Sequence, residues 1–129
     1  MAEISNSIRI ERSADEVWKV VSDAGNIADW VPILASSRME GDSRVCELEG
    51  GGRLVERILR NDDAARTIEY DITESPLTFD DYLATVRVDD DGDAALVTWT
   101  MRIEPAEMAE MMRPVNEGGL AALKEYCER

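Results

Sequence analysis

Glu56 is the side chain through which this chain could most readily do chemistry. It lies between Leu54 and Ile58 at the spacing of two that puts all three on one side of a β-strand. A carboxyl group held among apolar neighbours can act as a general acid or base, or can simply fix a neighbour by a hydrogen bond. The hydrogen bond is the commoner use. Three aromatic residues fall on comparable apolar strand faces: Tyr70 with Ile68 and Ile72, Tyr82 with Ala84 and Val86, Trp99 with Val97 and Met101. Packed in a core they do no chemistry. On a cavity wall their rings would supply apolar surface, and the phenol hydroxyls would orient a ligand.

Register decides which way Glu56 points. A three-residue loop, Asp62 to Ala64, pairs Asn61 with Ala65. Glu56 then faces Tyr70 and Ile58 faces Ile68, so that carboxyl and phenol meet inside. A two- or four-residue loop shifts the pairing by one, turns Arg57 toward Tyr70 and sends Glu56 to solvent. The sequence leaves both arrangements open.

Other chemistries lack their parts. The chain has no histidine, so neither Cys46 nor Cys127 has an imidazole base to activate it. The two cysteines fit a reduced compartment better than a disulfide. Asp89 to Asp93 resembles a calcium loop only superficially. Setting Gly92 at the loop glycine puts Arg87 at the first position and Thr98 at the twelfth, where oxygen ligands and a glutamate are needed. An acidic hairpin turn is the reading. Gly50-Gly51-Gly52 has no following Lys-Ser/Thr and precedes a strand, so it is a flexible turn near a pocket entrance and no phosphate loop. Arg53, Arg57, Arg60 and Arg66 are expected to pair with nearby acids in solvent. No metal and no cofactor is expected.

The elements that would position these residues come in a telling order. Ile4, Asn6, Ile8 and Ile10 alternate with Ser5, Ser7, Arg9 and Glu11, as in a half-buried strand from Ile4 to Ile10. Ser13 and Glu16 form a capping box for a short helix whose apolar face is Val17, Val20 and Val21, with Trp18 as its core anchor. A second short turn runs from Ile27 to Trp30 and stops at Pro32. Six strand-like segments follow: Leu34 to Met39, Arg44 to Leu48, Arg53 to Arg60, Thr67 to Thr73, Tyr82 to Val88 and Leu96 to Ile103. Successive hairpins predict an antiparallel meander. Past Pro105 the period changes. Met108, Met112, Val115, Gly119, Ala122 and Tyr126 recur at three and four, with Met111 and Leu123 beside them, as on one face of a helix. Pro114 predicts either a break near Met112 or one kinked helix. The fold class is therefore α+β: a curved seven-stranded antiparallel sheet gripping a long C-terminal helix, with two short helices after the first strand, in one domain spanning 1–129. Such a grip leaves a cavity between helix and sheet.

Composition narrows the partners. Fourteen Lys and Arg oppose 28 Asp and Glu, a formal charge of -14. That field repels nucleic acid and anionic membrane surfaces. Neither a signal peptide nor a membrane-spanning run is apparent, so a cytoplasmic protein without stable membrane insertion is expected, as monomer or homodimer.

Several segments resemble the START-like (SRPBCC) superfamily, the polyketide cyclase/dehydrase and lipid-transport proteins with the birch-pollen-allergen-like fold. Ser13-Ala14-Asp15-Glu16-Val17-Trp18 is similar to its first-helix opening, and Asp29-Trp30-Val31-Pro32 to its W-x-P element. Val55-Glu56-Arg57-Ile58 resembles its x-E-R-L strand. Ile68 to Ile72, Val97 to Trp99, and Gly119 to Lys124 are similar to its later strands and closing helix. The resemblance implies an internal cavity for a small hydrophobic or amphipathic, lipid- or polyketide-like molecule. It would be lined by Trp30 near the mouth and by Glu56, Tyr70, Tyr82, Trp99, Met108 and Met112. Some members are cyclases or dehydratases, which makes Glu56 a candidate catalytic residue, although the missing histidine departs from many of them. An interaction or stress-associated module with a collapsed cavity is the remaining alternative.

Overall fold

The computed structural model describes residues 2–129. Its strands are β1 (Ala2–Ile10), β2 (Leu34–Glu40), β3 (Ser43–Leu48), β4 (Arg53–Asp62), β5 (Thr67–Glu74), β6 (Asp81–Asp91) and β7 (Ala94–Glu104). Helix α1 (Ala14–Ser22) and a 3-10 helix (Ala24–Asp29) lie between β1 and β2, and helix α2 (Ala106–Cys127) closes the chain. All seven strands form one antiparallel sheet in the order β1-β7-β6-β5-β4-β3-β2. This is the helix-grip arrangement that the alternation and the late change of period imply. Helix α2 packs on β1 and β7, α1 packs over β5 to β7, and the 3-10 helix sits on β2 and β3.

Local chemistry accounts for the boundaries. Ser13 caps α1 by accepting the Glu16 backbone N–H at 3.2 Å, and its hydroxyl donates to Glu16 Oε1 at 3.0 Å. Trp18 is buried and its indole N–H donates to Asp63 at 2.8 Å, which ties α1 to the β4–β5 turn. Between β6 and β7 the strands continue to the pair Asp91–Ala94, leaving Gly92 and Asp93 as the turn. Gly92 has φ +66°, a conformation glycine adopts without steric penalty.

Helix α2 is a single helix running through Pro114, with no break at Met112. Its burial against the sheet outweighs the hydrogen bond that proline cannot make. Asn116, on the buried face, is 0% exposed and holds the helix to the sheet. Its amide donates to the Trp99 carbonyl at 3.0 Å and its oxygen accepts from Asn6 at 3.0 Å.

The β4–β5 hairpin does not use the three-residue loop Asp62 to Ala64. The strands close at Asp62–Thr67, so the loop is the four residues Asp63 to Arg66. That register by itself would turn Glu56 outward. A bulge at Leu59, between the pairs Ile58–Tyr70 and Arg60–Glu69, shifts the ladder by one. Leu59 is pushed to the surface, 48% exposed. Glu56 turns inward, opposite Ile72 and not opposite Tyr70, and Arg57 pairs with Asp71 instead of facing Tyr70.

Candidate functional site: an apolar cavity with a buried ion pair

Between α2 and the concave face of the sheet lies a cavity of about 190 Å³. Its walls come from the 3-10 helix and the segment after it (Ile27, Val31, Ile33, Leu34), from β3 to β5 (Leu48, Leu54, Glu56, Tyr70, Ile72) and from β6 and β7 (Tyr82, Trp99, Met101). Met112 and Val115 of α2 close one side, and Ser75, Pro76, Leu77 and Phe79 of the β5–β6 connection close another. Ile33 and Leu77 are exposed as well as lining it, which marks the mouth. The glycine turn also reaches this edge: Gly52 has φ +105°, and a Cβ there would stand 3.1 Å from Pro76 Cγ.

Glu56, Tyr70, Tyr82, Trp99 and Met112 therefore share one cavity. Trp30 and Met108 do not line it. Trp30 is buried behind the wall, its ring edge-on to Trp99 with centroids 6.3 Å apart. Met108 is half-buried against the core one helical turn before Met112, and Met111 faces solvent at 56% exposure. These positions follow from helical periodicity, which brings Met112 and Val115 over the sheet.

The residue that sequence reasoning missed is Arg44. It stands directly opposite Glu56 in the β3–β4 ladder, and its Nε donates to Glu56 Oε1 at 2.7 Å. Both side chains are buried, at 2% and 6% exposure. Arg44 also donates to the Ala24 carbonyl at 3.3 Å, and its guanidinium lies 4.8 Å from the Tyr70 ring centroid. Its remaining nitrogen, Nη2, is buried and unpartnered among the described residues. The available signal was the alternation Arg44, Cys46, Leu48, which places the arginine on the face of a buried cysteine. The other arginines pair at the surface as expected: Arg53 with Glu47, Arg57 with Asp71, Arg60 with Asp62, and Arg66 with Asp15 and Asp90. Such exposed pairs contribute little.

Burial controls the titration of this cluster. It is the largest single effect on Arg44 and opposes its charge, but Glu56, Tyr70 and Cys46 together outweigh it and the net shift of Arg44 is upward. Burial pushes the Tyr70 and Tyr82 phenols well above their usual range, with Glu56 adding to the effect, so both are neutral at physiological pH. The Trp99 indole N–H lies near the Tyr70 hydroxyl and opposes that rise, yet no described residue meets it in hydrogen-bonding geometry. Burial likewise pushes the Cys46 thiol up to about 12. Cys46 and Cys127 are both free thiols. Among the described residues no group of histidine, cysteine and acidic side chains is placed to hold a metal ion. No helix is long and apolar enough to cross a membrane.

An antiparallel sheet wrapped on one long helix, with a cavity between them, defines a helix-grip protein of the START and birch-pollen-allergen type. The chain belongs to the polyketide cyclase / dehydrase and lipid transport family, whose model matches residues 1–128. Solved structures show the same fold. The protein XoxI from Bacillus cereus is 25% identical, with 99% of this chain and 96% of that chain covered and a TM-score of 0.91. An aromatase/cyclase from a Streptomyces species is 18% identical, covering 99% and 94%, at a TM-score of 0.81. A START superfamily protein from Mycobacterium smegmatis is 17% identical, covering 98% and 97%, at 0.79. No curated protein sequence matches the chain.

Proposed function

We propose that this protein binds a small, mainly apolar molecule in the cavity between α2 and the sheet. The observation that carries the proposal is the cavity itself, whose mainly apolar walls also carry Glu56, Tyr70, Tyr82 and Trp99. Its volume of about 190 Å³ is below the roughly 300–1,000 Å³ of drug-sized pockets. That favours a compact occupant, such as one or two rings or a short chain. Burial of the occupant's apolar surface would drive binding at about 25 cal/mol per Å², with Glu56, Tyr70, Tyr82 and Trp99 fixing its orientation.

The family and the aromatase/cyclase likeness keep an enzymatic reading in view, with Glu56 as acid or base on a polyketide-like substrate. It is the weaker reading, because the Glu56 carboxylate is already engaged by Arg44 at 2.7 Å, and an arginine does not give up its proton. A non-binding interaction module is weaker still, since the cavity has not collapsed. Native mass spectrometry of the purified protein tests the binding reading. It should show an adduct of small-molecule mass that is lost on denaturation. A protein that carries no adduct, and takes none up from a panel of hydrophobic compounds, contradicts it.

A further inference from the structure

The cavity wall contains a charge pair that is already neutral before any ligand arrives. Glu56 lines the cavity; Arg44 does not: its Nε and Nη1 are held by Glu56 and the Ala24 carbonyl, its guanidinium lies against the Tyr70 ring, and its unpartnered Nη2 is buried outside the lining. The order of charges seen from the cavity is therefore negative first and positive behind. A carboxylate entering the cavity would lose its water, find the nearby cation set behind the wall, and meet a like charge at the wall. A neutral head group meets a different surface. Trp99 offers a buried N–H that no described residue accepts; the neutral Tyr70 phenol lies near it, and the Tyr82 phenol lines the same cavity.

From this order we infer that the cavity selects uncharged molecules bearing a keto or hydroxyl oxygen over carboxylates of the same size, and that the Arg44–Glu56 pair sets this selectivity. The Trp99 N–H would donate to the ligand oxygen, and the phenols would complete its hydrogen bonds. An uncharged acceptor in that position satisfies a buried donor at no cost in buried charge. The inference rests on the cavity-binding reading above and adds the class of ligand to it.

Matched pairs of compounds separate the two ideas. Octanol with octanoate and naphthol with naphthoate would be titrated calorimetrically into the wild-type protein at neutral pH. The neutral member of each pair should bind about tenfold or more tightly than its carboxylate. Glu56→Gln removes the negative charge from the wall and leaves Arg44 unbalanced behind it. The preference should then shift toward the carboxylate by about tenfold or more. Equal binding of both members to the wild type overturns the selectivity, and needs no variant to do so. An unchanged preference in a folded Glu56→Gln protein overturns the role of the pair. Failure of every compound to bind the wild type overturns the cavity-binding reading itself.

Discussion

A Cβ built on Gly119 would stand 2.4 Å from Cζ3 of Trp99. The face of α2 that carries Gly119 is thus bare where the indole lies against the helix. The same residue meets Trp30 edge-on, lines the cavity, and has its backbone carbonyl held by Asn116 from the same helix. The spacing between helix and sheet at this point is set by a ring on one side and a missing side chain on the other.

Gly119→Ala tests that fit against helix propensity. Alanine in a helix interior is favoured over glycine by about 1 kcal/mol, but the added methyl must displace Trp99, and overpacking costs about 1–3 kcal/mol. Packing should win, giving net destabilisation in urea denaturation. Gly118 is the control. A Cβ there meets nothing within 4 Å, so Gly118→Ala should stabilise by roughly 0.5–1 kcal/mol. Equal gains from both substitutions would show that Trp99 yields freely.

Breaking the buried ion pair should cost far more than deleting it. Arg44→Met alone leaves Glu56 uncompensated, and Glu56→Leu alone leaves Arg44 so; each should destabilise by about 3–5 kcal/mol. The double replacement removes both charges from a site where each is at most 6% exposed, and should lie near wild type or above it. A double-mutant cycle in urea measures the coupling. Additive losses would mean that the two groups do not depend on one another.

Alkaline pH should destabilise the fold. The Cys46 thiol is raised from 9.0 to about 12 in the folded chain, and the Tyr70 and Tyr82 phenols are raised too. Between the unfolded and folded values the native state holds more protons than the unfolded chain, so stability falls as pH rises. The contribution of Cys46 is complete below about pH 9 and is lost toward pH 12. Urea midpoints measured from pH 7 upward should be level and then decline above about pH 9. Cys46→Ala should make that decline shallower. A decline of the same steepness in the variant would remove Cys46 as a cause.

Much of this architecture was legible because its signals are periodic. Alternation at Ile4 to Ile10 and at Leu96 to Ile103, and the three-four spacing after Pro105, each reflect one buried face. Glu56 was harder. Its direction depends on the bulge at Leu59, which leaves no mark in the alternation because Leu59 is itself apolar. The wall residues Ser75, Pro76, Leu77 and Phe79 fall in the gap between the strand segments ending at Thr73 and starting at Tyr82, since a connection folds onto the cavity by tertiary contacts and not by period. Arg44 was masked by its type, because arginines are rarely buried without a partner, and the partner sits 12 positions away across a ladder.

The most direct measurement compares the ligand response of the wild type with that of a protein whose cavity has been filled. Leu54 lines the cavity, and Leu54→Trp would occupy it. At naphthol concentrations about a hundredfold above its Kd, the wild type should gain about 2.7 kcal/mol and unfold several degrees higher, whereas Leu54→Trp should not respond. Equal shifts in the two proteins, or none in the wild type, would contradict a ligand seated between α2 and the sheet.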